Sequence, residues 1–106
     1  MKVIVNGRPA GTKEEGCALC GGTWGDYYEK VEGERLFFCC NICAKAFVNI
    51  INEAKKRFKL NKIDYIELRG NFYRGRTIEV RNGEESHKFY IKLSDDGDIT
   101  EFKELN

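Results

Sequence analysis

Two cysteine clusters constrain this chain more than any other feature. Its five cysteines fall within 27 of the 106 residues. Cys17 and Cys20 enclose two residues, and Cys40 and Cys43 repeat that spacing after 19 intervening residues. Two CxxC pairs at about this separation are typical of a four-cysteine zinc site. Four thiolates satisfy zinc in a tetrahedron, and a two-residue spacer lets each pair bend around the ion. We therefore expect a Zn2+ site.

Cys39 gives the second cluster an alternative pairing. On a helix, residues three or four positions apart project from the same side, so Cys43 could act with either Cys39 or Cys40. Spacing alone leaves this choice open. Ordinary buried thiols are another interpretation of the cysteines. So is a thioredoxin-like redox dithiol, although that site requires a βαβ setting that the surrounding hairpin signals do not supply.

Turn signals and hydrophobic periodicity predict the secondary structure. Apolar residues recur at helical spacing from Ala44 to about Lys59. Turn pairs at 6–7, 32–33 and 82–83 predict hairpins. The expected fold class is α+β, with zinc-bound cysteine loops, a hairpin, and one main amphipathic helix packed on a small antiparallel sheet. The predicted strands are Lys2–Val5, Tyr27–Val31, Arg35–Phe38, Tyr65–Arg69, Thr77–Arg81, Ser86–Leu93 and Ile99–Lys103.

Length and hydropathy predict a single domain over residues 1–106. We expect the cysteine loops, hairpin and helix at about 16–59, and an antiparallel β part at about 60–106 together with the N-terminal strand. No run approaches the roughly 20 apolar residues that span a membrane, and the first residues lack the apolar length of a secretory signal. A cytoplasmic location is expected, where clustered cysteines more often bind metal than form disulfides.

The segment from about 16 to 50 resembles treble-clef zinc modules. The motif is carried by Cys17-Ala18-Leu19-Cys20-Gly21, a hairpin turn at Glu32-Gly33, and then Phe38-Cys39, Cys43 and Phe47. It is similar to zinc fingers of the TRASH and YHS type and to the archaeal large-subunit ribosomal zinc protein. The resemblance implies zinc ligands at Cys17, Cys20, Cys39 and Cys43, with Cys40, the alternate to Cys39, at a position where serine is usual. Along its whole length the chain resembles a small uncharacterised archaeal family with a zinc-binding motif.

The net charge of +1 conceals a basic central segment. Between Ala44 and Arg76, nine Lys or Arg accompany three Asp or Glu. Such cations could contact phosphates, while Phe72 and Tyr73 could stack on unpaired bases. A solvated helix face is the ordinary alternative. The candidate nucleic-acid residues are Lys55, Lys56, Arg57, Lys59, Arg69, Arg74 and Arg76.

The sequence favours a binding role over catalysis. The single histidine, His87, is expected to pack in a sheet opposite Ile78, and no H-x-E precedes a cysteine pair as it does in zinc deaminases. We therefore expect a non-enzymatic module that binds nucleic acid or a partner protein, without a small-molecule substrate. The alternatives are a metal sensor or carrier for zinc or copper, and a dithiol redox protein.

Overall fold

A computed structural model of the chain describes residues 1–71 and 74–105. Six strands form the main sheet, and two form a separate hairpin between the cysteine clusters. In chain order the elements are β1 Lys2–Val5, β2 Arg8–Ala10, β3 Tyr27–Val31, β4 Glu34–Phe38, α1 Asn41–Phe58, β5 Tyr65–Asn71, β6 Gly75–Asn82, β7 Glu85–Leu93 and β8 Ile99–Leu105.

The six-stranded mixed sheet dominates the molecule, so the predicted fold class is wrong. That prediction placed one main helix on a small antiparallel sheet. In the structure α1, the one helix of the described residues, has only 18 residues, and the sheet is the larger element. The strand order is β2-β1-β5-β6-β7-β8, with β1 parallel to β5 and the other neighbours antiparallel. The parallel pair joins strands on either side of the cysteine region and the helix. Turn signals cannot reveal it, because they report only hairpin partners.

The main sheet has one buried face and one exposed face. In β6, Ile78 and Val80 are fully buried while Thr77 and Arg81 are exposed, as the two-residue period of a strand requires. The buried face and the apolar side of α1 belong to one core, which includes Val3, Val5, Phe47, Ile50, Ile51, Ala54, Ile66, Leu68, Ile78, Val80, Phe89 and Ile91.

The helix begins three residues before the predicted start and ends beside the sheet. Its last turn is basic, which suits the negative end of the helix dipole. Phe58 stacks on His87 with ring centroids 4.3 Å apart, so His87 packs between helix and sheet. Within the described residues no helix is long and apolar enough to cross a membrane.

The register of the β6–β7 hairpin differs from the prediction. His87 pairs with Val80, and Ile78 pairs with Phe89. The turn lies one residue later than the Asn-Gly pair suggested, because Asn82 still pairs with Glu85 as part of the ladder.

Candidate metal centre

The first cysteine pair lies in a tight loop before β3. The Cys17 N–H donates to the Gly22 carbonyl at 2.7 Å, which closes the loop on itself. The Ala18 N–H donates to the Phe37 carbonyl at 2.9 Å and attaches the loop to β4. As a result Cys17 is completely buried, whereas Cys20 is half-buried.

The second cluster lies where β4 passes into the helix. Cys39 and Cys40 follow the strand directly, and Cys40 is the N-cap of α1 with an extended backbone. Cys43 lies in the first turn, where its side chain turns inward and is 6% exposed. The hairpin of β3 and β4 therefore connects the two clusters, and the start of α1 sets the direction of the last cysteine.

The sulfur atoms of Cys17, Cys20, Cys39 and Cys43 all lie within 4.8 Å of one another. We call these four residues the cysteine centre. Cys39 Sγ lies 3.5 Å from Cys20 Sγ and 3.4 Å from Cys43 Sγ. In a tetrahedral site with metal–sulfur bonds of about 2.3 Å, the sulfurs are about 3.8 Å apart. The cysteine centre therefore has the dimensions of a site that could hold one metal ion.

Cys40 stands at the border of the cysteine centre. Its Sγ lies 3.9 Å from that of Cys39, but Cys40 does not belong to the group of four. All five thiols are free of disulfide bonds. The structure thus brings the predicted metal-site residues together, with Cys40 beside the group.

Backbone amides support negative charge on the sulfurs. The N–H groups of Leu19 and Cys20 each donate to Cys17 Sγ at 3.4 Å, and the Gly22 N–H donates to Cys20 Sγ at 3.4 Å. Such bonds favour the thiolate over the thiol. The N-terminus of α1 adds a partial positive charge beside Cys43. These donors favour the ionised form that metal binding requires.

The cysteine centre without metal holds its protons unequally. Hydrogen bonds from the side chains of Cys20 and Cys43 lower the pKa of Cys17. The pKa of Cys43 is raised, because its thiol is hydrogen-bonded to the sulfurs of Cys17 and Cys20. Burial raises the pKa of Cys39. Cys39 and Cys43 therefore keep protons at neutral pH until a cation displaces them.

Arg76 lies against the first cysteine loop and not on a basic surface, which corrects the prediction. It is only 3% exposed, and its Nη1 donates to the Leu19 carbonyl at 2.5 Å. Burial lowers the pKa of Arg76, and negative charge in the cysteine centre opposes that effect. The alternation of Arg76, Ile78 and Val80 on the inward face of β6 was the sequence signal for this position.

The helix end is less free to bind phosphate than the sequence suggested. Lys55 Nζ lies 2.8 Å from a carboxylate oxygen of Glu32, and Arg57 Nε lies 2.6 Å from one of Glu53. Lys56 is exposed on the same turn. Two of these three helix-end cations are therefore already paired with acids.

Of the other predicted nucleic-acid residues, Lys59 is the C-cap of α1 and lies at the helix end, whereas Arg69 lies on a different face. Arg69 pairs with Glu67 on the exposed face of the sheet, away from the helix. Lys59 and Arg74 are exposed. Phe72 and Tyr73, predicted to stack on bases, lie outside the described residues.

Fold and site together define a small, β-rich protein with a four-cysteine cluster that could bind a metal. A model of the Ta0938 family matches residues 14–105, a range that includes all five cysteines. The chain belongs to the Ta0938 family. Comparison with curated proteins and with solved structures gives no significant match.

Proposed function

We propose that this chain is a zinc-binding protein that acts as a non-enzymatic binding module. The observation that carries the proposal is the placement of four cysteine sulfurs, from two separate segments, within 4.8 Å of one another. Four thiolates complete the tetrahedral shell of zinc and leave no open position for a substrate. The metal would then hold the first loop, the hairpin and the start of α1 together.

We further propose that the centre has the treble-clef arrangement. The order of elements supports this: a CxxC loop, the β3–β4 hairpin, and a helix with a cysteine in its first turn. The proposed zinc ligands are Cys17, Cys20, Cys39 and Cys43, because their sulfurs form the compact group.

Metal analysis of untagged protein, purified without added zinc, tests the proposal. We expect about one zinc per chain and four thiols that become reactive only after a strong chelator removes the metal. A Cys17→Ser variant should lose the zinc, whereas Ser86→Ala, an exposed change far along the chain, should retain it. Wild-type protein that is isolated without any bound metal, and whose cysteine loops are nonetheless folded, would refute the proposal.

We propose a protein as the binding partner. The described residues include five exposed large hydrophobic side chains, and four of them, Trp24, Tyr27, Tyr28 and Ile42, lie in the segment between or beside the cysteine clusters. Trp24 is 65% exposed, and Arg35 stacks over Tyr28 at 4.1 Å. Tryptophan, tyrosine and arginine dominate the binding energy of protein interfaces.

Capture from native cells distinguishes this partner from nucleic acid. Untagged or minimally tagged protein is used as bait with and without nuclease. The double variant Trp24→Ala, Tyr27→Ala is used as bait in parallel. We expect a specific protein that survives nuclease and is lost with the variant. Loss of all captured material after nuclease would instead assign the partner to RNA or DNA and contradict our choice.

A metal sensor or carrier is the second candidate function. It is favoured by the half-buried state of Cys20, Cys39 and Cys40, because a fifth thiol 3.9 Å from Cys39 could take over a ligand position. Zinc and copper competition tests it, since soft thiolates also suit Cu(I). Rapid release of zinc or preference for copper would support a carrier. A single low-pKa, reactive thiol in the isolated protein would instead indicate dithiol redox chemistry.

A further inference from the structure

Arg76 is the one charged residue of the described chain that is fully buried. It forms no ion pair with any carboxylate in residues 1–71 and 74–105. Its Nε also has no hydrogen-bond partner there. A buried, unpaired cation is strongly unfavourable. The position therefore requires a compensating negative charge.

The cysteine centre is a source of such charge beside Arg76, because Arg76 contacts the loop between Cys17 and Cys20. Arg76 lies on the inward face of β6, and its guanidinium reaches the Leu19 carbonyl between Cys17 and Cys20. The four residues would carry a formal charge of about −4 as thiolates and about −2 with a divalent ion. Each thiol proton that the metal-free centre retains removes one unit of this negative charge.

We infer that Arg76 is the counter-charge of the metal–thiolate centre and that it couples metal occupancy to the main sheet. The inference rests on the proposed zinc site. Arg76 stabilises the protein most when the thiolates and the metal are present, and its buried charge is less fully compensated when thiols replace them. Removing its charge should therefore destabilise the zinc-bound state more than the metal-free state.

The test compares Arg76→Met, which keeps the length and removes the charge, with Arg76→Lys, which keeps the charge. Arg69→Met is the matched control, because it makes the same change in net charge at an exposed position. Zinc affinity is measured by competition with a chromophoric chelator. Chemical unfolding is followed with zinc and with chelator.

We expect Arg76→Met to weaken zinc binding on the order of 10- to 100-fold, the range seen when groups supporting metal ligands are removed. The metal-free Arg76→Met protein should lose less stability, relative to metal-free wild type, than the zinc-bound variant loses relative to zinc-bound wild type. Arg76→Lys should lose less affinity than Arg76→Met, and Arg69→Met should match wild type. If Arg76→Met does not fold, the zinc affinity of Arg76→Lys is compared with that of Arg69→Met. Because Arg76→Lys retains the positive charge, its zinc affinity should stay within about tenfold of that control.

Equal destabilisation of both states with unchanged zinc affinity would overturn the inference and leave Arg76 as a purely structural residue. So would Arg76→Lys binding zinc more weakly than Arg76→Met. A wild-type chain that binds no zinc is a different result, because it refutes the proposed zinc site before any variant is compared.

Discussion

Cys39 and Cys40 are adjacent in sequence but differ in their relation to the cysteine centre. Cys39 Sγ lies within 3.5 Å of two other sulfurs, whereas the Cys40 sulfur lies 3.9 Å from that of Cys39 and does not belong to the compact group of four. Structural zinc sites contribute roughly 10–16 kcal/mol through four ligands, so a lost ligand should cost about 3 kcal/mol, or about a hundredfold in affinity.

We therefore predict that Cys39→Ser releases zinc and that Cys40→Ser retains it. Zinc retention during dialysis against a weak chelator measures the difference. Release by Cys40→Ser alone would show that the i,i+3 pair of Cys40 and Cys43 supplies the ligands. Equal and mild losses would show that the two thiols exchange places.

Gly25 determines how closely the chain approaches Cys39. Its φ is +82°, and a Cβ at this position would overlap the Cys39 carbonyl. Gly33, in the turn of the β3–β4 hairpin, has a φ of +79° but open space around it. Both alanine variants incur about 1–2 kcal/mol of left-handed strain, and only Gly25→Ala adds the overlap.

We predict a loss of about 1 kcal/mol in the free energy of unfolding for Gly33→Ala and about 3 kcal/mol or more for Gly25→Ala. Gly25→Ala should also weaken zinc binding, because it displaces a ligand. Denaturant unfolding and metal competition measure the two effects. Equal losses in the two variants would show that the contact with Cys39 is unimportant.

At the scale of elements, one ion pair joins the end of the helix to the β3–β4 turn. The Glu32 side chain is 9% exposed and the Lys55 side chain 31% exposed, so water screens this pair only in part. We predict that Lys55→Met lowers the free energy of unfolding by about 1 kcal/mol. Lys56→Met, at the exposed neighbouring position, should change it by less than about 0.5 kcal/mol. Similar values for the two variants would mean that Lys55 is an ordinary surface cation.

Acid should open the cysteine half before the main sheet. The pKa of Cys43 and the pKa of Cys39 are raised in the centre without metal, so zinc must displace at least these two protons. Protons then compete more strongly as the pH falls, and zinc affinity should decrease by about 100-fold or more per pH unit. A metallochromic indicator reports the release.

Hydrogen exchange locates the structural response to that release. We expect early exchange in the first cysteine loop and the start of α1, and persistent protection in β6 and β7, whose core residues Val80 and Phe89 are fully buried. Zinc retention that is independent of pH, or loss of protection throughout the chain at once, would contradict this order.

Across the whole molecule, the sequence predicted local features of the structure better than contacts between distant segments. The helix, most strands and the cysteine clusters follow from periodicity and spacing, because each depends on neighbouring residues. The pairing of β1 with β5 and the inward position of Arg76 were missed. The first depends on residues far apart in the chain, and the second depends on β6 beginning at Gly75, two residues before the predicted strand.

A count of charges along the sequence does not reveal which cations share a surface. A count of cations between Ala44 and Arg76 treats them as one surface, yet the fold places Arg69 on the exposed sheet face and Arg76 in the core. Local acids pair with Lys55 and Arg57. Cations that lie close together in the sequence are therefore placed on different parts of the fold.

X-ray absorption at the zinc edge, on untagged wild-type protein isolated without added metal, measures the ligand set of the proposed zinc centre. Four sulfur neighbours at about 2.3 Å are expected, with no nitrogen or oxygen neighbour, because four thiolates complete the zinc shell. A zinc signal with a nitrogen or oxygen neighbour, or folded protein with no zinc signal, would contradict the assignment of Cys17, Cys20, Cys39 and Cys43 as a zinc centre.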